Sequence, residues 1–168
     1  MRRQITQEET KEIIRLAREK VPGITLRTTM LVGFPGETEE DVQELIDFVE
    51  EMEFDRLGVF QYSHEESTIA FDQEDDVSAG EKADRANRVM EAQQSISFRK
   101  NEEKVGKVFK VLFDRKEGGY FVGRTEGDSP EVDNEVLVDA SKFYVRIGDF
   151  AQVKIIEAMD YDLFGEVI

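Results

Sequence analysis

Cysteine is absent from the 168 residues, which excludes disulfides, thiolate zinc sites, thiol nucleophiles and thiolate-held iron–sulfur clusters from anything this chain does alone. Histidine occurs once, at His64, so no second imidazole or thiolate is at hand for a metal site. No apolar run approaches the roughly 20 residues that cross a bilayer, and the opening MRRQITQEE has no apolar core of a secretory signal. The chain is therefore expected to be soluble and cytoplasmic, away from membranes. No internal repeat or low-complexity tract stands out. Bases are scarce: 22 Lys and Arg face 38 Asp and Glu, for a net charge of -16. The excess is spread along the chain, with 23 acids against 13 bases in residues 1–101 and 15 against 9 in residues 102–168. Such a field repels phosphate backbones and attracts basic partners, which disfavours nucleic acid as a direct ligand.

What is present suffices for folded structure, since 39% of the residues are apolar and the length suits one generous domain or two small ones. Thr6 with Glu9 forms a capping box, and Ile13, Leu16 and Ala17 follow at helical spacing until Val21-Pro22-Gly23 ends the element, predicting a helix over 7–20. The β-branched run Ile24 to Val32 predicts a buried strand, closed by GFPG. Thr38 with Asp41 opens a second capped helix over about 39–53, whose apolar stripe is Val42, Leu45, Ile46, Val49 and Met52. Leu57 to Tyr62 reads as a strand. After an acidic loop, Ser78 and Glu81 open a long helix to about Lys104.

Strands alternating with such helices imply parallel βαβ units that bind ligands at the carboxyl ends of their strands. Two parallel strands alone leave open edges, so residues 1–101 are expected to be the last part of a larger α/β barrel or sheet. From residue 102 the period changes to two. A hairpin is predicted from Val105–Phe113 and Tyr120–Arg124 around Glu117-Gly118-Gly119, with further strands at Glu135–Val138, Phe150–Ala158 and Leu163–Ile168. Five short strands in this space predict a small antiparallel, OB-like barrel over residues 102–168.

The sharpest local feature is Gly33-Phe34-Pro35-Gly36-Glu37-Thr38, between a strand and a helix. By spacing alone it is foremost an ordinary βα turn. Its glycines and capped helix start, with backbone N–H groups to offer, also suit a polar cofactor, and the segment from Phe60 through Tyr62 to Thr68 would share that carboxyl edge. In DSPEVDN, Asp128, Glu131 and Asp133 read first as a solvated turn and second as acids able to meet Lys and Arg. His64 is expected in a loop near a pocket wall. Asp72, Glu74, Asp75 and Asp76 lack the spacing of a calcium loop and read as a solvated linker. Of Phe109, Phe113, Tyr120 and Phe121, at least half are expected in a barrel core. Arg2 and Arg3 are either exposed terminal residues or, at the end of a preceding strand, partners of a carboxylate.

The letters carry more than the spacing. LVGFPGETEED resembles the passage from the fifth barrel strand to the next helix in radical S-adenosylmethionine enzymes of the methylthiotransferase family. MRRQIT and FQYSHEESTIA (Phe60 to Ala70) resemble further segments of that family, and GRTEGDSPEVDNEV and AMDYDLFGEV resemble its appended TRAM domain. More narrowly, YSHEES and TEGDSPEVDN are similar to the branch that methylthiolates an aspartate of the small-subunit ribosomal protein S-twelve. The resemblance implies a parent that binds S-adenosylmethionine and two 4Fe-4S clusters, with Gly33, Phe34, Pro35, Gly36, Glu37, Phe60 and Tyr62 toward the cofactor. It also implies a basic ribosomal protein as partner, met by Asp128, Glu131 and Asp133. The family's cluster-binding cysteines are missing here, so the chain by itself is expected to be inactive. Two other readings stand beside this one. A fragment of a transfer-RNA methylthiotransferase would bind RNA in a salt-sensitive way, and a non-enzymatic OB-like binding module would have nothing encoded upstream.

Overall fold

The computed structural model of the chain describes residues 5–130 and 132–168. Arg2, Arg3 and Glu131, singled out above, lie outside the described residues. By its contacts the chain divides into two compact units, residues 1–93 and 94–168.

The first unit holds α1 (Gln7–Lys20), β1 (Arg27–Val32), α2 (Glu39–Met52), β2 (Arg56–Gln61), a single 3-10 turn at Ile69–Asp72, and the first part of α3 (Ala79–Glu102). Both predicted capping boxes form: the Thr6 and Thr38 hydroxyls accept the N–H of Glu9 and Asp41, whose carboxylates accept the cap residues' own N–H at 2.8 Å. Ser78 and Glu81 make the same reciprocal pair ahead of α3. β1 and β2 pair in parallel, with Arg27 opposite Arg56 and Val32 opposite Gln61. Asp55 sets that register, since its carboxylate accepts the Leu26 N–H at 2.8 Å while the Leu26 carbonyl accepts the N–H groups of Asp55 and Arg56. Ile14 of α1, Met52 of α2 and Phe54 form the core on this side, with Leu26, Met30, Phe48 and Leu57 packed around them. The Arg18 guanidinium donates to the last carbonyls of α2, at Met52 and Glu53, where a cation suits both the unsatisfied carbonyls and the helix dipole.

Two expectations change here. β1 starts at Arg27, because the residues before it serve the Asp55 junction instead of a ladder. It is not a buried strand either: in a two-stranded sheet only Val32 of β1 is fully covered.

In the second unit, β3 (Val108–Glu117), β4 (Tyr120–Arg124), β5 (Val136–Asp139), β6 (Phe150–Ala158) and β7 (Leu163–Val167) close a barrel in the order β3-β4-β5-β7-β6. Gly118-Gly119 makes the predicted hairpin turn. The expected small barrel is there, with one difference: β5 and β7 run parallel, Val136 opposite Leu163 and Val138 opposite Gly165, so the ladders are mixed. Val111, Phe113, Phe121, Val136, Val138, Val145, Val153, Ile155 and Leu163 fill the interior, the alternate positions that period two assigns to a barrel core. Phe113 and Phe121 are thus core, while Phe109 and Tyr120 are partly covered, Tyr120 edge-on to Phe164 at 5.7 Å. The packing leaves no room on β4: a methyl group on Gly123 would lie 2.6 Å from the Leu112 carbonyl oxygen.

The capping acids make the helices pH-sensitive. Hydrogen bonds from the Thr6, Thr38 and Ser78 caps hold Glu9, Asp41 and Glu81 below ordinary carboxylate values. A group depressed in the folded state stabilises it above its unfolded pKa of about 4, and that contribution fades as pH falls through the folded value. The midpoint of urea unfolding, followed by helical circular dichroism, is expected to fall between pH 7 and pH 3. Glu9→Gln, Asp41→Asn and Glu81→Gln together should flatten that fall; an unchanged pH dependence would contradict the assignment.

Candidate functional site

At the carboxyl end of β1 the chain makes a tight turn whose shape follows from its letters. The Glu37 N–H donates to the Phe34 carbonyl at 2.9 Å, closing a four-residue β-turn with Pro35 second and Gly36 third. Gly36 has φ +79°, the left-handed conformation that the third position of a type II turn requires and that glycine adopts without steric cost. A side chain built on Gly36 meets nothing within 4 Å, so the turn presents bare backbone to open space. Gly33 has the opposite surroundings, because a methyl group there would run into the Lys82 stem.

The turn is held from below and from one side. The Glu37 carboxylate points back, accepting the Gly33 N–H at 2.8 Å and the Arg85 guanidinium at 2.9 Å, and Arg85 also donates to the Glu37 carbonyl at 3.0 Å. The Glu37 and Arg85 side chains are only 13% and 10% exposed. Beside them, the buried Lys82 ammonium binds both oxygens of Asp75 at 2.7 Å and lies 5.1 Å from the Tyr62 ring centroid. The Gly36 N–H donates to Asp76 at 2.8 Å. Arg88 donates to Glu39 at 3.0 Å, at the start of α2.

The end of β2 supplies an aromatic wall. The Tyr62 N–H donates to the Val32 carbonyl at 2.8 Å, extending the ladder past β2. Its ring stands edge-on to Phe34 at 5.2 Å, its hydroxyl lies 3.2 Å from His64 Nδ1, and His64 packs on Phe71 at 4.7 Å. Phe60 is 64% exposed.

The structure thus brings Gly33, Phe34, Pro35, Gly36, Glu37 and Tyr62 together at one strand edge, with His64 in the adjoining wall. The N–H groups that made the helix start attractive are engaged within the protein: those of Gly33, Gly36, Glu37, Thr38 and Asp41 each have an internal acceptor. What the loop offers a ligand is open space over Gly36 and the rings beside it. The acidic linker is also more than solvated, since Asp75 and Asp76 grip α3 and the turn. Four residues of this network, Asp75, Asp76, Lys82 and Arg85, were not singled out as site residues in the sequence. The signal for two of them was their place in the α3 stripe with Ala86 and Val89, where helical spacing puts buried residues.

On the barrel, Asp128 is buried and accepts the Thr125 hydroxyl at 2.6 Å, while Asp133 is half-buried and accepts the Ser129 N–H at 2.7 Å. Both carboxylates shape their own loop. Among the described residues, no group of three or more His, Cys, Asp or Glu is arranged to hold a metal ion.

Comparison with known proteins gives this geometry a context. Residues 105–168 match the family model of the TRAM domain, and residues 1–49 match that of the radical SAM superfamily. The ribosomal protein uS12 methylthiotransferase RimO of Cytophaga hutchinsonii is 58% identical over 168 residues, 100% of this chain and 38% of that protein. The proteins of the same name from Flavobacterium johnsoniae and Phocaeicola vulgatus are 57% and 50% identical over 99% and 100% of this chain, again 38% and 39% of their own length. The chain therefore spans under two fifths of the curated relatives it matches.

Removing one member of the buried pair leaves the other charged and unpaired, which costs about 3–5 kcal/mol. Arg85→Met is expected to destabilise the first unit on that scale in urea unfolding. The double variant Arg85→Met with Glu37→Gln should recover part of the loss, and additive losses would contradict coupling between the two.

Proposed function

We propose that the chain, 50–58% identical over nearly its whole length to these uS12 methylthiotransferases, is part of such an enzyme. It forms the C-terminal part of a radical S-adenosylmethionine enzyme that methylthiolates the β-carbon of an aspartate in the small-subunit ribosomal protein. Residues 1–101 complete the α/β barrel and residues 102–168 form the TRAM domain. The observation that carries this reading is the type II turn whose open Gly36 faces outward at the carboxyl end of the strands, where parallel α/β folds bind ligands.

In this reading the loop from Gly33 to Glu37 borders the cofactor, which meets it at the open face of Gly36. Gly36 lets it approach, Phe34 and Tyr62 flank it, Phe60 extends the apolar edge, and Glu37 works through Gly33 and Arg85 to fix the turn. S-adenosylmethionine, when bound, would supply radical chemistry for hydrogen abstraction from the substrate carbon, the electron for its cleavage coming from a cluster held outside this chain. The two 4Fe-4S clusters of the whole enzyme do not fit this chain, which offers no thiolate. The chain by itself is thus catalytically inactive and contributes cofactor support and partner recognition in the cytoplasm.

Partner recognition follows from charge. Residues 102–168 carry 15 acids against 9 bases, a field that attracts a basic ribosomal protein and repels the phosphates of RNA. The resemblance that points to this partner also points to Asp128, Glu131 and Asp133, whose charges add to that field.

Two experiments test these assignments. In the whole enzyme, Gly36→Val is expected to abolish most S-adenosylmethionine binding in a calorimetric titration. Gly23→Val is the control, because Gly23 shares the positive φ, at +80°, and the open space but lies before β1; its affinity should stay unchanged. Equal behaviour of the two variants would refute the loop assignment. For the partner, binding to the purified basic ribosomal protein should weaken with salt as screening shortens toward a Debye length of roughly 8 Å. Neutralising Asp128, Glu131 and Asp133 should mainly slow association. Tighter binding to a transfer-RNA pool than to the protein would favour the transfer-RNA branch.

A further inference from the structure

The linker between β2 and α3 ends by gripping the turn. Asp76 accepts the N–H of Gly36, the very residue whose outer face is open, and Asp75 next to it binds the buried Lys82 through both oxygens. Lys82 in turn fills the space beneath Gly33. Asp76 therefore ties Gly36 to the linker by one backbone hydrogen bond, and Asp75 ties the linker to Lys82, in the first turn of α3 and against Gly33, by one ion pair.

A type II turn interconverts with its type I relative by rotating the central peptide, here the bond between Pro35 and Gly36, and that rotation carries the Gly36 N–H to the other side of the turn. An acceptor fixed on that N–H selects one orientation. The same choice fixes where the Pro35 carbonyl oxygen points, because it belongs to the same planar peptide. Lys82 anchors the acceptor's neighbour, so the acceptor itself cannot drift with the exposed linker.

We propose that Asp76 is a positioning residue for the cofactor loop, holding the Pro35–Gly36 peptide in the orientation that binds S-adenosylmethionine, with the Asp75–Lys82 pair as its anchor. The inference rests on the reading of this turn as the cofactor loop. Asp76 touches neither cofactor nor substrate and acts through Gly36 alone. Its useful atom is the accepting oxygen, not the charge, so asparagine can replace it and alanine cannot.

The test compares Asp76→Ala, Asp76→Asn and Gly36→Val in the whole enzyme. One hydrogen bond of about 1 kcal/mol corresponds to roughly fivefold in affinity. Asp76→Ala should raise the S-adenosylmethionine dissociation constant about fivefold and speed hydrogen exchange of the Gly36 amide. At saturating cofactor the turnover rate should be unchanged. Asp76→Asn should restore both affinity and exchange to near wild type. Wild-type affinity in Asp76→Ala, or an equal loss in Asp76→Asn, overturns the proposal. Gly36→Val separates the two layers: if it leaves affinity unchanged, the reading of the loop has failed. If it abolishes binding while Asp76→Ala does not alter it, only the positioning role has failed.

Discussion

The first unit depends on one buried carboxylate. Glu37 lies one residue before the cap of α2, yet its side chain turns back to accept the N–H of Gly33 and the guanidinium of Arg85. A charged pair this deeply covered gives up most of its hydration, and its mutual attraction repays the loss only when geometry and additional hydrogen bonds are good. Here Arg85 also binds the Glu37 carbonyl, so side chain and backbone of one residue are held by a single planar cation. A hydrophobic pair of equal volume could provide comparable stability, but it could not fix where a backbone N–H and a backbone carbonyl point. Orientation is what the turn needs: the end of β1, the turn itself and the start of α2 are all set by their distance from one guanidinium on α3.

The barrel is built on the opposite logic. Its core is aliphatic and aromatic, and close approach does there the work that charge does in the first unit. Gly123 and Gly165 stand where the neighbouring strand leaves no space for a side chain, which lets the sheet curve tightly enough to close. Asp128 is buried, but the ion pairs described for this unit lie at its surface. Arg115 bridges Glu117 and Glu135, at 2.7 Å to each, and these hydrogen bonds push its pKa further up; exposed pairs of this kind contribute little stability and chiefly organise the surface.

How much of this was legible follows the same division. Capping boxes and apolar stripes are local, and α1 and α2 appear where their letters put them. Period two is also local, so β4 and β6 were readable with their ends in place, while β3 starts and ends later than the expected Val105–Phe113, because it continues through Glu117 to the turn. Strand order is not local: nothing in Glu135–Val138 or Leu163–Ile168 shows that they pair with each other, or that they do so in parallel, because that choice is made by barrel closure. The turn was readable from Pro35 and Gly36. Its support was not, since Asp75 and Asp76 look like any solvated acidic run until α3 brings Lys82 and the turn to them. Lys82 and Arg85 occupy buried positions of a helical stripe, and a reading that scores only apolar residues there passes over them. They break the local rule, as expected where a site rather than a core is being built.

The acidic surface calls for a different reading from the one its motif suggests. Asp128 and Asp133 each accept a hydrogen bond from their own loop, at Thr125 and Ser129, so part of their role is to shape it. Both belong to a unit rich in acids, 15 against 9 bases over residues 102–168. Under the proposed function, attraction of a basic protein therefore comes from the summed field, which acts over a Debye length and steers encounter. Individual bidentate contacts, which set dissociation, would have to come from elsewhere. Such a surface discriminates strongly between a basic protein and a phosphate backbone and weakly between one basic protein and another. Selectivity among basic partners then has to come from shape and directed contacts and not from the summed charge of the barrel.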